Sequence, residues 1–302
     1  MKKVSIMNAF GVISSGGNPA GVVYNQNDLS KDEKQFIAKE VNVSETVFIN
    51  KINDIEFEVE FYTPNKEVDL CGHGTIAAFQ YLINKNIISK GTYYQITKAG
   101  KLEMHIDNDK RIYMEQKKPE FYEIIEDRDL IAKSLNITKD DLIDYLPIEI
   151  VSTGLKDILI GVKNNKILNN IKPDFSLIYN ISKENEVVGY HIYSLEKNGN
   201  ETANCRNFAP FYEIDEESAT GTSSGALASF LFKYNILKEN EYNDISFLQG
   251  EAMNELSKIN VELSVKNNKI EKVYVGGNAT FDKEINMIIN KKQKEKYEKD
   301  NY

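Results

Sequence analysis

The sequence predicts an α+β protein built from two similar lobes, and three observations carry that expectation. The chain has 302 residues, more than one hydrophobic core usually organises, so two domains or one double-lobed domain is the starting point. Stretches of strict period-two alternation, clearest in "IEFEVEFYTPN", stand beside stretches of helical pattern. An internal echo links "EVDLCGHGTIAAFQYL", from Glu67, with "EESATGTSSGALASFLF", from Glu216. Both have an acidic start, a glycine pair and a small-residue helix; aligned on Gly72 and Gly221, Cys71 falls opposite Thr220 and His73 opposite Thr222. Such a repeat implies related lobes.

In chain order, "KVSIMNAF" and "GVVYN" read as strands separated by the Gly/Pro turn "SSGGNPAG". "SKDEKQFIAKEVN" has a serine N-cap followed by acids, hence a helix. "SETVFINK" begins another strand. In "IEFEVEFYTPN", Ile55, Phe57, Val59 and Phe61 share one face while Glu56, Glu58 and Glu60 share the other, the pattern of a half-buried strand. "TIAAFQYLINKNI" is helical in composition, and "YYQITKAGKLEMHIDNDKRIYMEQ" reads as strands turning at "DNDK". The "KKPEFYE" stretch around Pro119 is expected to be a linker, giving an N-terminal lobe over 1–118 and a C-terminal lobe over 119–302, whose last residues either return to the first lobe or fray. In the second half "DRDLIAKSLNI" reads as a helix. "IEIVSTGLKDILIGVKN", "VVGYHIYSLEK" and "ETANCRNFAP" read as strands, and "SSGALASFLFKYNIL" as a helix entered from "ATGT". Strands near "INVELSVKNNKIEKVYVGGNATF" close the fold.

Composition narrows the function classes. Hydrophobic residues at 41% and charged residues at 27% are ordinary for a globular chain, and no stretch approaches the ~18 apolar residues of a membrane span. The opening "MKKVSIMNAF" lacks an apolar h-region and reads as a first strand rather than a signal peptide, so a cytoplasmic protein is expected. Two cysteines suit a reducing compartment. The net charge is −9, and the only lysine-rich segment, "KKQKEKYEKDNY", alternates in sign. It is expected to be a frayed, solvated helix rather than a nucleic-acid arm, and neither nucleic acid nor membrane is expected as a partner.

Each echo segment has the form strand, glycine turn, helix start. That form leaves first-turn N–H groups unpaired, with the positive end of the helix dipole behind them. The amides at Gly72, Gly74 and Gly221 are therefore candidate binders of a small carboxylate. A metal is not expected: a zinc site wants three or four ligands at local spacing, Cys71 and His73 supply two, and no second Cys/His cluster exists. A Cys71–His73 nucleophilic pair is disfavoured, because residues two apart rarely bring their side chains into hydrogen-bond reach. A two-thiol racemase would need a cysteine where Thr220 stands. Cys71 is left as a bystander or pocket wall, and Cys205 as a small buried strand residue. His73, at the mouth of a helix, is the acid–base candidate, its imidazole favoured neutral by the dipole. His105 and His191 sit in predicted strands and read as structural.

"GNPAGVV", "VNVSETVFI", "FYTPNKEVDLCGHGTIAA", "VSTGL", "NFAP" and "ESATGTSSGALASFL" occur in the order and spacing of the phenazine-biosynthesis (PhzF-like) isomerase family, which the chain resembles from about Val4 to Phe281. The resemblance implies a diaminopimelate epimerase-like fold. In it, two similar lobes each wrap a mixed, mainly antiparallel sheet around a central helix, with the active site in the cleft between them. It further implies a homodimer that uses neither metal nor organic cofactor. The family's acid/base glutamate falls on Glu45, in the SET motif, where it would move a proton on a small carboxylic acid. A free carboxylate has a pKa of roughly 4.3 and is a weak base toward carbon, so the site is expected to raise that value by desolvation. His73 matches the histidine of the family's CGH motif. By the same resemblance Glu217 is a third catalytic candidate, and Asn18, Ser44, Gly72, Gly74, Thr220, Gly221, Thr222 and Ser223 are candidates for holding substrate.

The chain departs from the family pattern at three places. Glu216-Glu217-Ser218 stands where the family usually reads Glu-Asp-Pro, Glu255 stands at the position of a frequent arginine, and Thr222 replaces a common serine. Two alternatives stay open at this point. One is an amino- or hydroxy-acid epimerase or racemase with a second base opposite Glu45. The other is a metabolite-binding protein on the same scaffold that has lost its chemistry.

Overall fold

The computed structural model describes residues 2–12, 16–25 and 28–287. The tail "KKQKEKYEKDNY", expected to fray, lies outside them. The described residues divide into two units: 2–12, 18–25, 28–114 and 277–287 form the first, and 16–17 with 115–276 form the second.

In the first unit, chain order is β1 (Lys2–Ala9), β2 (Asn18–Tyr24), α1 (Lys31–Val41), β3 (Glu45–Lys51), β4 (Glu56–Tyr62), the short β5 (Glu67–Val68), α2 (Gly72–Asn84), β6 (Gly91–Thr97), β7 (Gly100–Ile106) and β8 (Ile112–Glu115). Strand β4 realises the alternation: Phe57, Val59 and Phe61 are buried, and Lys34 of α1 forms an ion pair with Glu60 on the other face. Ile55 lies before the strand and is exposed, so it is not part of the apolar row. Helix α1 starts at the expected Ser30, whose hydroxyl accepts from the Glu33 amide while the Glu33 carboxylate accepts from the Ser30 amide. The "GNPAG" stretch, expected as a turn, is instead the start of β2. Pro19 pairs with Asn8 of β1 there, at the strand beginning, where a missing N–H does least harm.

In the second unit the order is β9 (Glu120–Ile124), α3 (Arg128–Ser134), β10 (Glu149–Ser152), β11 (Lys156–Val162), α4 (Asn165–Asn170), α5 (Phe175–Glu184), β12 (Gly189–Ser194), β13 (Ala203–Ala209), β14 (Ile214–Glu217), α6 (Gly221–Lys233), β15 (Ile245–Gln249), β16 (Ser257–Lys266) and β17 (Lys269–Gly277). The chain then enters β18 (Ala279–Met287), which pairs with β1 in the first unit. The stretch around Pro119, expected as a linker, is largely β9. Phe121 pairs with Val151 and Glu120 with Ser152, so the proline precedes a strand instead of interrupting one. Helices α4 and α5 had no counterpart in the sequence reading. Helix α5 is started by Asp174, whose carboxylate accepts from the Leu177 amide, and it is held down by Ile178 and Ile181.

Strand pairings show how closely the two units correspond. The first runs β18-β1-β2-β3-β4-β6-β7-β8, with β2–β3 and β4–β6 parallel and the other junctions antiparallel. The second runs β9-β10-β11-β12-β13-β15-β16-β17, with β11–β12 and β13–β15 parallel and the others antiparallel. A short strand, β5 or β14, pairs with β4 or β13 immediately before the central helix. The echo seen in sequence over two helix starts thus extends to the whole topology of each unit.

Helices α2 and α6 are buried almost all round, which marks a helix enclosed by a sheet rather than one lying on a surface. Close packing explains the glycine at 74: a Cβ there would stand 3.0 Å from Val47 Cγ2 and 3.2 Å from Phe61 Cδ1. Phe79 of α2 is fully buried and packs edge-on against Phe57 of β4. In the second unit a polar chain runs through the interior: Ser223 Oγ donates to Asp157 Oδ2 (2.6 Å), and Asn207 Nδ2 lies 3.3 Å from Ser223 Oγ and 3.2 Å from His191 Nδ1. His191 is thus structural, as expected. Burial, resisted by the Ser223 hydrogen bond and reinforced by the Glu217 charge, pushes Asp157 up to about 7, while burial pulls His191 down to about 3.

Two predictions concern stability. Phe79→Ala removes a fully buried ring and should cost about 3–5 kcal/mol in urea unfolding. Asp157 binds its proton more tightly folded than unfolded, so its contribution is complete below its unfolded value of 3.8 and is lost as pH rises toward about 7. His191 has the opposite sense: its contribution is present above 6.5 and lost as pH falls toward about 3. Asp157→Asn should therefore gain stability relative to the parent between pH 4.5 and 7.5, by on the order of a few kcal/mol. Urea midpoints that shift equally in both proteins over that range would contradict the assignment.

Candidate active site

Helix α1 ends at Asn42 in the left-handed conformation, which turns the chain so that β3 opens on Glu45. Helix α2 opens at Gly72, with Cys71 as N-cap, and carries His73 as its second residue. The two starts bring Glu45 and His73 together: His73 Nε2 lies 2.7 Å from Glu45 Oε2, with both side chains mostly buried. Glu45 Oε2 is itself buried and receives no well-aligned donor, so the contact is a close ion pair rather than a formed hydrogen bond. On the other edge of the ring, Asn18 Nδ2 is 3.4 Å from His73 Nδ1, and Ser44 Oγ donates to Asn18 Oδ1 at 3.0 Å. A serine hydroxyl both donates and accepts, so the Asn18 amide can present either its nitrogen or its oxygen to the ring and serve either protonation state of His73.

Cys71 is no bystander. Its sulfur accepts from the Gly74 amide at 3.3 Å, capping α2, and stands 3.5 Å from His73 Nδ1 and 3.8 Å from Nε2. The expectation that these two side chains would not meet fails because they lie at a helix N-terminus, where the cap side chain folds over the first turn and reaches the residue two places on. Burial pushes the Cys71 thiol up, against the pull of His73, so the sulfur is a neutral thiol.

The charge balance differs from the expected one as well. Burial pulls His73 down, but the Cys71 sulfur and the Glu45 carboxylate outweigh it and hold the ring well above its ordinary range. Glu45, 2.7 Å from the ring, is the carboxylate partner in that shift. The neutral imidazole expected from the helix dipole is thereby overridden, since a carboxylate at contact distance is a stronger influence than a helix end. Burial likewise pushes Glu45 up, yet the His73 contact and charge reverse this and leave the carboxyl below its ordinary value. The expected raised glutamate is absent while this pair is closed.

Glu45, Cys71 and His73 offer one ligand atom each within 4.8 Å of one another, which is the metal-type cluster found among the described residues. The fit is imperfect. Two ligands of a tetrahedral zinc stand about 3.3 Å apart, farther than the 2.7 Å between His73 and Glu45, and the Cys71 sulfur already serves as the helix cap.

In the second unit Glu217 ends β14 and Thr220 is the N-cap of α6. Thr220 Oγ1 donates to Glu217 Oε2 at 2.7 Å. The longer glutamate, in place of the family's aspartate, is thus bent back onto the helix start. Of the other candidates, Ser223 is buried with its hydroxyl engaged by Asp157, leaving only its amide at the first turn of α6. The Thr222 carbonyl accepts from Thr153 Oγ1 at 2.9 Å. Gly72 and Gly221 open their helices as expected, so their amides belong to first turns that lack intrahelical acceptors. The Glu255 amide donates to the Gly250 carbonyl, and in the structure it closes a turn. Gln249, which the sequence reading passed over inside "QGEAM", contacts both Glu217 and Thr220.

Strand register makes the two units comparable residue by residue. Glu45 pairs with Ala20 across β2–β3, and the matching pair across β11–β12 is Gly189 with Asp157. A Cβ at Gly189 would stand 1.9 Å from the Phe208 carbonyl oxygen, so no carboxylate fits there. With Thr222 opposite His73, the Glu–His pair exists in one unit alone.

Comparisons with known proteins agree with this architecture. The family model described as phenazine biosynthesis-like protein matches residues 7–284. An uncharacterized isomerase of Clostridium acetobutylicum is 34% identical over 283 residues, spanning 91% of this chain and 94% of that protein. The uncharacterized isomerase YddE of Escherichia coli K12 is 32% identical over 274 residues, spanning 88% and 91%. The crystal structure of a PhzF-family phenazine biosynthesis protein from Bacillus anthracis matches with a TM-score of 0.84 at 26% identity, over 95% of this chain and 99% of that one. No helix among the described residues is long and apolar enough to cross a membrane. Matched along almost its whole length, the chain belongs to the phenazine biosynthesis-like (PhzF) family and is an isomerase with the two-lobed, diaminopimelate epimerase-like fold.

Proposed function

We propose that this isomerase moves a proton on a small carboxylic acid without a cofactor, with Glu45 as acid and base. The observation that carries this reading is the Glu45–His73 contact of 2.7 Å at the start of α2. In the closed pair Glu45 is ionised and ready to accept a proton, but His73 weakens it as a base. A substrate that draws His73 into a hydrogen bond of its own leaves the burial of Glu45 unopposed. Its basicity then rises at the moment a carbon-bound proton is presented. Glu45 Oε2 takes that proton, the C–H electron pair passes into the substrate's conjugated π system, and protonated Glu45 returns the proton at another carbon. His73 and the first-turn amides of α2 would stabilise the negative charge in between.

Register supports transfer by one base, because the position matching Glu45 in the second unit is a glycine with no room for a side chain. The epimerase alternative draws on Cys71, a neutral thiol 3.5 Å from the His73 ring. The two readings part in the product: a one-base isomerase relocates a double bond, whereas an epimerase inverts a stereocentre.

Incubation with 2-amino, 2-hydroxy and β,γ-unsaturated carboxylic acids in deuterated water should place deuterium at carbon for at least one class. Glu45→Gln should lower that exchange by roughly 10²–10⁴-fold. Binding across the panel with no label incorporated would sink the isomerisation mechanism. In the same variant the His73 ring, followed by NMR titration, should fall back toward its ordinary range, because its charged partner is gone.

A further inference from the structure

We propose that Gln249 is a positioning residue that fixes the proton direction of Thr220 and so holds Glu217 as a hydrogen-bond acceptor. The proposal goes beyond the isomerase reading, which rests on Glu45 and His73; Glu217 enters as the third catalytic candidate that the family resemblance implies.

Three hydrogen bonds determine the direction. The Thr220 backbone N–H, which can only donate, points at Gln249 Oε1 at 3.2 Å. That contact orients the Gln249 amide, so its nitrogen faces the Glu217 carbonyl at 2.7 Å and Thr220 Oγ1 at 3.0 Å. A side-chain amide nitrogen only donates. Thr220 Oγ1 therefore accepts from Gln249, and its single proton is left for Glu217 Oε2, 2.7 Å away. The sequence Gln249 to Thr220 to Glu217 runs one way, ends on a carboxylate and leaves no choice of hydroxyl rotor.

The cost of this arrangement shows at the helix. Thr220 is the N-cap of α6 yet makes no side-chain capping bond, whereas its counterpart Cys71 caps α2. A threonine hydroxyl normally stabilises a helix start by capping it, so its use on Glu217 instead gives up stability. Gln249 is buried at the end of β15, so its amide has little freedom to turn away. From the other side, Arg206 grips Glu216, the residue before Glu217, with Nε and Nη2 each 2.8 Å from one carboxylate oxygen, and Nη1 donates to the Ile171 carbonyl at 2.9 Å. Residues 216 to 220 are thus pinned at both ends, and the side chain between them is aimed.

The test reads Glu217 directly and needs no substrate. In full-length protein with ¹³C-labelled glutamate carboxyls, the Glu217 resonance is identified by its loss in Glu217→Gln, and its titration is compared across variants. Thr220→Val and Gln249→Leu should each raise the Glu217 titration midpoint, by about one pH unit for the lost hydroxyl donor. Thr220→Ser, which keeps the hydroxyl, should titrate like the parent. A Thr220→Val protein titrating like the parent, or a Thr220→Ser protein titrating like Thr220→Val, overturns the proposal. A folded Gln249→Leu protein that titrates like the parent overturns the role of Gln249 as well, and Gln249→Met, closer to it in length, takes the same measurement if Gln249→Leu does not fold. Failure of the acid panel to exchange deuterium would count against the isomerisation mechanism and leave this titration result standing, so the two failures are separable.

Discussion

A helix enclosed by a sheet must still find partners for the amides of its first turn, because buried N–H groups left unpaired are costly. That constraint acts twice in this protein, at α2 and at α6, and each start meets it differently. At α2 the cap is the Cys71 sulfur, a weak acceptor that fits the tight space Gly74 leaves beside Val47 and Phe61. The cap brings the His73 ring against the sulfur and within contact of Glu45. The chemistry of the first unit is thus a consequence of how its central helix begins.

At α6 the same architectural demand produces a different result. Thr220 turns its hydroxyl onto Glu217, and Gln249 takes the Thr220 amide. Deeper in the unit, the Ser223 hydroxyl is drawn into a buried chain with Asp157, Asn207 and His191. The two units share strand order, parallel junctions and the short strand before the helix, yet among the described residues only the first brings a carboxylate into direct contact with an imidazole. That asymmetry of side chains is what favours a single base in the proposed proton transfer.

Charge in the first unit is set by proximity rather than by burial. Burial by itself would raise Glu45 and lower His73, leaving two neutral groups. At 2.7 Å the pair attracts strongly enough to reverse both shifts. On the proposed mechanism this ion pair is the resting state, and its disruption would raise the basicity of Glu45.

Much of this protein was legible in its sequence. The alternation of β4, the Ser30 cap and the glycine-led starts at Gly72 and Gly221 depend on local periodicity and backbone geometry, and they appear where expected. The repeat at the two helix starts foretold the matched units, and the family motifs named Glu45 and His73. Other features required the tertiary structure. Pro19 and Pro119 read as breaks, and only their pairing partners, Asn8 for the first and β10 for the strand after the second, make the adjoining segments strands. Helix α5 is amphipathic, with Ile178 and Ile181 buried on one face, and its boundaries are set by the Asp174 cap and the packing of that face. The Cys71–His73 contact depends on Cys71 being the N-cap, whose sulfur folds over the first turn of α2 and meets the ring two residues on. The protonation of His73 and the direction of the Thr220 hydroxyl depend on Glu45 and Gln249, each more than 25 residues distant in sequence. Sequence by itself determined which segments could form strands and helix starts, because that follows from local periodicity. Tertiary structure decided which side chains met and which held the protons, because those depend on distances of a few ångströms between segments remote along the chain.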